Sequence, residues 1–328
     1  MKRIIYFHRN RKAGFSIEKV STPFINLIEN KSVYHVPCER ANFKSLIRNL
    51  WFVYRKRERK SVVHVTGDIH YVLLSLIGMK TVLTVHDTCT LDYNKGGFLK
   101  KKLVKMLWFS LPIRLATRVV CISEKTKESV MKHVGRKDLT VIPNSVDEAI
   151  EFRPKVEKSG KLRLLIVGTN PNKNVEGQIE ALKGLDCVLT IVGRLDRSQE
   201  ELLKRNGINY INKYDLEDSE LYEEYYAADI VLFCSFFEGF GMPLIEANKA
   251  GTPVICSDIP VLRETGGDAA LYVNPNDREE IRQKIIALSE DNGLRDSLIE
   301  RGRKNAEKYS IKRIYPLWER LYGEVRGV

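Results

Sequence analysis

Short β-branched apolar runs recur along this chain, and amphipathic stretches fill the intervals between them. RIIYFH (3–8), SVVHVT (61–66), KTVLTVHD (80–87) and RVVCIS (118–123) form one set. LRLLIVG (162–168), CVLTIVG (187–193), DIVLFCS (229–235) and TPVICS (252–257) form a second. Runs that stay apolar at successive positions belong to strands covered on both faces, which parallel sheets with crossover helices provide. Two such sets in 328 residues imply an α/β protein of two doubly wound domains. Near residues 148–161 the chain is polar, holds Pro154 and reaches Ser159-Gly160, which suits a linker. Domains are expected over 1–150 and 151–309. The amphipathic 310–328 should form a terminal helix that crosses back to pack on the first domain.

At 43% hydrophobic residues the chain can fill two cores and is too apolar for disorder. No apolar run approaches the ~20 residues of a membrane-spanning helix. MKRIIYFHRN reads as a first strand rather than a leader, because its apolar stretch is short and arginines follow it. The six cysteines, Cys38, Cys89, Cys121, Cys187, Cys234 and Cys256, show no close pairing. Buried, reduced thiols in a cytoplasmic protein are expected, not disulfides or a zinc site. The net charge of +12 is uneven: residues 1–150 carry 28 Lys and Arg against 12 Asp and Glu, and residues 151–328 carry 26 against 30. A basic first half suits anionic lipid, nucleic acid or a phosphorylated ligand. No recognition motif or aromatic-basic platform in the sequence supports nucleic acid.

FFEGFGMPLIEANKAG (236–251) lies where a strand should hand over to a helix. Ligands of open α/β sheets sit at such carboxyl ends. Pro243 suits the first helical position and Gly251 the end of the helix. Gly239 and Gly241 let the backbone approach a ligand with no Cβ in the way. The free N–H groups of the helix N-terminus then favour a phosphate. Glu246, in the first turn, is placed for ribose hydroxyls, and Glu238, on the loop, for those of a second sugar. Singly, either glutamate is more often a helix-terminus or solvated loop residue; the surrounding glycines, proline and strand end favour the functional reading.

The stretch SFFEGFGMPLIEANKAGTPVICSDIPVLRETGGDAALYVNPND resembles the C-terminal signature of glycosyltransferase family 4, retaining enzymes of GT-B fold. Its E-x7-E element matches Glu238 and Glu246. The likeness extends through IVGRLD, YEEYYAADIVLFCS, LLIVGTNPNKNVEGQIEAL and VIPNSVD, covering most of residues 118–290, whereas the N-terminal third matches only in outline. It implies two Rossmann-like domains facing a cleft and a nucleotide-sugar donor, UDP- or GDP-linked, with no other cofactor and no catalytic metal. It further implies that Glu238 contacts donor-sugar hydroxyls, Glu246 contacts ribose and Lys173 binds the diphosphate. Relatives often carry an arginine shortly before that lysine; here Gly168, Thr169 and Asn170 stand there. Arg194 is the weaker substitute, better placed for the base. His86 matches a cleft histidine that touches the donor sugar, and Gly14 the glycine loop over the diphosphate, although Ala13 replaces the usual neighbouring glycine. Gly239, Phe240 and Gly241 complete the donor loop. Asp68 and His70 either bind acceptor or are turn residues.

No acidic residue lies between Asp92 and Glu124, where Lys95, Lys100, Lys101, Lys102, Lys105, Arg114 and Arg118 interleave with Phe98, Leu99, Leu103, Met106, Leu107 and Phe109. This reads as a basic amphipathic helix broken near Pro112. It is either an ordinary helix with lysines in water or an interfacial one on an anionic membrane. The resemblance favours the membrane, because many relatives glycosylate lipid-linked acceptors at the cytoplasmic leaflet. The expectation is a retaining glycosyltransferase, peripheral on the inner face of the cytoplasmic membrane. It would move a sugar from a nucleotide-sugar to a glycan acceptor, lipid-linked, in cell-surface polysaccharide synthesis. A nicotinamide-dependent dehydrogenase would need a GxGxxG after a first strand, which neither RIIYFHRNRKAGFS nor LLIVGTNPNKN contains. A catalytically silent scaffold of the same fold remains the alternative.

Overall fold

The computed structural model describes residues 3–13, 16–39, 42–88, 102–153 and 160–327. The chain divides into two compact units, Met1–Ser145 with Ile311–Val328, and Val146–Ser310.

The first unit is built on six parallel strands: β1 (Ile4–His8), β2 (Lys31–His35), β3 (Val62–Val65), β4 (Lys80–Val85), β5 (Arg118–Cys121) and β6 (Leu139–Val141). Their order is β2-β1-β3-β4-β5-β6, so the chain reverses direction across the sheet between β1 and β3. The four inner strands are the four apolar runs of the first set. The helix Ile311–Arg326 belongs to this unit and seals one face of its sheet. Ile314, Trp318, Leu321, Tyr322 and Val325 are buried with Ile4, Tyr6, Phe24, Val62 and Val82. Trp318 stacks on Phe24 at 4.4 Å. The polar atoms in this core are satisfied internally. Tyr6 donates to the Tyr322 hydroxyl at 3.0 Å, and the His64 ring nitrogens bond Tyr322 Oη and Thr84 Oγ1, each at 2.8 Å.

The second unit repeats the plan with β7 (Leu162–Val167), β8 (Cys187–Val192), β9 (Asn209–Lys213), β10 (Ile230–Phe233), β11 (Val254–Ser257) and β12 (Leu271–Val273). All pairs are parallel, in the order β12-β11-β10-β7-β8-β9. The reversal falls between β7 and β10, and a crevice opens at such a switch point, outside the carboxyl ends of the two strands. Helices cover the sheet; Ile179, Leu203, Ile281 and Leu298 pack with Leu164, Leu189 and Leu232.

The basic segment is less regular than expected. A π-helical stretch, Lys105–Ser110, leads into a short helix, Leu111–Leu115, with Pro112 in its first turn. Proline has no N–H to give the carbonyl four residues back, which is that of Trp108. The His70 ring fills the vacancy, donating from Nδ1 to that carbonyl at 2.8 Å. Among the described residues no helix is long and apolar enough to cross a membrane. Cys121, Cys187, Cys234 and Cys256 are buried free thiols, and Cys38 is partly buried.

Candidate functional site

The carboxyl ends of β7 and β10 bring Lys173 and Glu238, two of the sequence candidates of the second unit, together. After β10 the chain turns through 234–241 into the helix Met242–Ala250, with Pro243 in its first turn and Gly251 closing it at φ 83°. Gly241 caps the helix at φ 107°, a left-handed conformation that a side chain rarely adopts, and a Cβ there would lie 2.6 Å from Leu262 Cδ2. The corner is therefore a glycine position twice over.

Lys173 stands on the turn Pro171–Lys173 after β7. Its Nζ donates to Glu238 Oε1 at 2.7 Å, and the two side chains are only 15% and 12% exposed. The lysine stem passes over Gly168, where a Cβ would meet Lys173 Cε at 3.0 Å, and the ammonium lies 4.8 Å from the Phe233 ring centroid. Several amides lock the two loops. Asn172 gives Nδ2 to the Phe237 carbonyl at 3.1 Å and takes the Phe236 N–H on its own carbonyl at 2.8 Å. Asn174, buried and left-handed at φ 53°, donates to the carbonyls of Cys234 at 3.1 Å and Pro275 at 2.7 Å. Gln178 donates to the Lys173 carbonyl at 2.7 Å. A cation and a carboxylate are thus held by a rigid frame at the switch point.

Glu246 is the fifth residue of its helix, not in the first turn, and is buried. Its Oε2 accepts from the Tyr225 hydroxyl at 2.8 Å. Burial first, then the neighbouring Glu246 charge, pushes the Tyr225 phenol far above its ordinary value, so it stays a donor. Phe240 points into the core, edge-on to Tyr309 at 5.6 Å, which leaves only its backbone for a ligand. Thr169 Oγ1 donates to the Arg194 carbonyl at 2.7 Å. Arg194 is largely exposed, pairs with Asp215 and lies 4.5 Å over the Tyr214 ring. Asn170 opens the lysine turn, its carbonyl accepting from Lys173 N at 2.8 Å, and Gly239 lies between Glu238 and Phe240.

In the first unit, histidines gather at the carboxyl ends of β1, β2 and β4. His8 stacks on His35 at 5.2 Å and bonds Thr66 Oγ1 through Nδ1 at 2.9 Å. His86, half-buried after β4, donates from Nε2 to the Thr66 carbonyl at 2.6 Å. Its Nδ1 is therefore the acceptor nitrogen of a neutral ring. Burial pushes His86 down to about 4 against the opposing pull of the Thr66 carbonyl and Asp68. Burial and the neighbouring His35 push His8 down to about 3. Arg9 pairs with Glu18 at 3.2 Å beside them.

Asp68 is exposed on the turn that follows β3. His70 is buried, its ring edge-on to Phe109 at 5.3 Å and bonded to Trp108; the structure puts it in the core rather than at a surface. Gly14, Lys100 and Lys101 lie outside the described residues. Lys102 and Lys105 are exposed, and so are Leu103 and Met106 beside them. Among the described residues no group of three His, Cys, Asp or Glu side chains is placed to hold a metal ion. Sequence reading did not single out His8, His35, Asn172, Asn174, Gln178 or Tyr225. Only His8 left a signal, ending the run RIIYFH that becomes a strand.

Residues 147–305 match the family model of the group 1 glycosyl transferases, and residues 7–150 match that of Glycosyltransferase Family 4. The O-antigen chain mannosyltransferase B of Escherichia coli is 26% identical over 72% of this chain and 58% of its own length. The O-antigen chain mannosyltransferase RfbU of Salmonella typhimurium is 31% identical over 62% of this chain and 59% of its own. The matched part thus spans less than two thirds of either relative. Among solved structures, a sucrose-phosphate synthase of Thermosynechococcus elongatus superposes with a TM-score of 0.82 at 16% identity, over 99% of both chains. Anabaena Alr3699/HepE in complex with UDP-glucose superposes with a TM-score of 0.80 at 15% identity, over 98% of this chain and 99% of that one. At such identities the likeness is one of fold, the GT-B architecture of two Rossmann-like domains.

Proposed function

The chain belongs to glycosyltransferase family 4, and from that premise we propose that it moves a hexosyl group from a nucleoside-diphosphate sugar to a glycan acceptor with retention of anomeric configuration. The observation that carries the reading is the Lys173–Glu238 pair beside the open end of the helix Met242–Ala250. When a donor binds, its diphosphate takes the lysine and the helix N–H groups. Glu238, released from the cation, accepts from sugar hydroxyls. Glu246, fixed by Tyr225, accepts from the ribose. Arg194 and Tyr214 offer a planar stack for the base.

In the transfer the acceptor hydroxyl oxygen bonds the anomeric carbon as the bond from that carbon to the diphosphate oxygen breaks, both on one face of the sugar. The acceptor proton passes to the departing phosphate oxygen, so the enzyme supplies no nucleophile. Lys173 stabilises the charge that grows on the diphosphate. His86, neutral with Nδ1 as an acceptor, is the residue we assign to a sugar hydroxyl. Asp68, exposed two residues after the Thr66 that His86 bonds, is assigned to the acceptor.

The relatives named as mannosyltransferases make mannose the first sugar to test, on a guanosine or uridine diphosphate, and O-antigen relatives favour a lipid-linked acceptor in cell-surface polysaccharide synthesis. Exposed Lys102 and Lys105 beside exposed Leu103 and Met106 support contact with the cytoplasmic face of a membrane. A thermal-shift screen of nucleotide-sugars identifies the donor, since ligand at ~100 times its Kd adds ~2.7 kcal/mol. Release of nucleoside diphosphate that depends on an added glycan acceptor, with a retained anomeric centre by proton NMR, confirms the reading. Donor binding without turnover on any acceptor would leave the silent scaffold, and an inverted product would overturn the same-face mechanism.

A further inference from the structure

The helix Phe43–Lys56 packs on the sheet through Leu46, Asn49, Leu50 and Val53. Its start is fixed by Asn42, which accepts from Ser45 N at 3.0 Å. Asn49 donates to the Tyr71 hydroxyl at 2.8 Å and Ser75 Oγ to the Leu50 carbonyl at 2.9 Å, so the inner face is settled. A second apolar face is left over. Phe43, Ile47, Trp51 and Tyr54 are 77%, 50%, 60% and 53% exposed. At 3.6 residues per turn these four lie within an arc of about 80°, and Lys44, Arg48 and Arg55 fill the next ~40°. The helix is acid-free; the nearest carboxylate beyond its end, Glu58, is engaged by Arg3 at 3.2 Å.

From this face we infer that the helix Phe43–Lys56 docks the first unit on an anionic lipid surface, its four large side chains at the acyl boundary and its basic border among the headgroups. Apolar and cationic arcs side by side on one exposed helix face are what an interfacial helix requires. Trp and Tyr, apolar bodies with polar tips, suit that depth. A second copy of this chain fits poorly, because opposing two such faces would bring together two cationic borders with no acid between them. Stacked bases fit poorly too. The Arg55 guanidinium lies 4.9 Å over the Trp51 ring and that of Arg57 lies 3.6 Å over Tyr54, so each ring already has a cation on one face. The inference shares its class of partner with the membrane contact proposed above but assigns it to a different element, and it stands whether or not transfer is detected.

Vesicle binding tests it. Of the three tryptophans, Trp51 is exposed while Trp108 is partly buried and Trp318 buried. Adding vesicles of phosphatidylglycerol and phosphatidylcholine should therefore shift the emission of the intact protein to the blue. Phosphatidylcholine alone should not, and Trp51→Phe should lose the shift while still sedimenting with the vesicles. The triple variant Ile47→Gln, Trp51→Gln, Tyr54→Gln alters only exposed positions. It should keep the wild-type melting temperature and its transfer to a soluble acceptor, and bind anionic vesicles at least about tenfold more weakly. Wild-type sedimentation by the triple variant overturns the inference, and all the more if Lys102→Gln with Lys105→Gln abolishes binding instead. So does a dimer that the triple variant loses, or a blue shift produced by oligonucleotide and not by vesicles.

Discussion

Lys173 and Glu238 are 65 positions apart in sequence and 2.7 Å apart in space. Each was recognisable alone, as a lysine after one strand and a glutamate after another. Their pairing was not, because it depends on β7 and β10 lying side by side in the sheet. The pair has a consequence for mutation. Lys173→Ala removes the cation for the diphosphate and should lower kcat/KM by ~2–4 kcal/mol, the usual loss of one charge-stabilising donor; a fall of less than tenfold would hand the role to another cation. Glu238→Ala should abolish transfer while the melting temperature shows the fold intact. Wild-type turnover by that variant would remove Glu238 from the reaction. Glu246 behaves differently because it is buried. Glu246→Ala should weaken the free nucleoside diphosphate. Tyr225→Phe takes away a donor from a buried carboxylate, so it should cost ~1–3 kcal/mol of stability and raise the donor KM more than it lowers kcat. Unchanged nucleotide affinity in both variants would separate Glu246 from the ribose. Tyr225 itself was hidden in YEEYYAAD, since nothing in three nearby tyrosines says which one reaches Glu246.

At the scale of elements, the eight strands legible in the sequence are the eight interior strands, and the four that were not, β2, β6, β9 and β12, are the four sheet edges. Interior parallel strands are buried on both faces and read as unbroken apolar runs. An edge strand such as Lys31–His35 or Asn209–Lys213 is partly exposed, so it leaves a mixed pattern. His35 was overlooked for the same reason, since it closes an edge strand. The corner at Gly241 was legible because a special backbone needs a special residue. Its requirement can be measured against Gly207, which also has positive φ, 64°, but open space where a Cβ would go. Gly207→Ala should cost about 1 kcal/mol, the backbone penalty alone. Gly241→Ala adds a collision with Leu262, should cost ~2–4 kcal/mol, and should weaken donor binding as the helix N-terminus shifts. Equal melting temperatures for the two variants would mean that Leu262 yields freely and that the corner is less fixed than its contacts indicate.

At the scale of the molecule, one restart of the strand-and-helix pattern made the two units legible, while the buried network around His64 had no sequence signature. His64 looked like one more residue of an apolar run, yet it sits at the centre of the Tyr6–Tyr322–Thr84 network that ties the chain's last helix to its first sheet. Burial pushes His64 well below its ordinary value, lowers His70 as well, and takes His8 to about 3 and His86 to about 4. All four are depressed relative to the unfolded value near 6.5, so in that interval the unfolded chain binds protons that the native one refuses. Stability is then full above pH ~6.5 and falls as the pH drops towards 4, by up to ~1.4 kcal/mol per pH unit for each histidine. Several such rings in one unit make acid costly against the ~5–15 kcal/mol that holds a domain folded. Urea melts at pH 7.5, 6.5 and 5.5 should therefore show a flat limb followed by a steep one. His86→Gln, which removes one titrating ring at a half-buried strand end, should lessen that slope measurably. A midpoint that stays level from pH 7.5 to 5.5 would mean that these rings take up protons without unfolding the first unit.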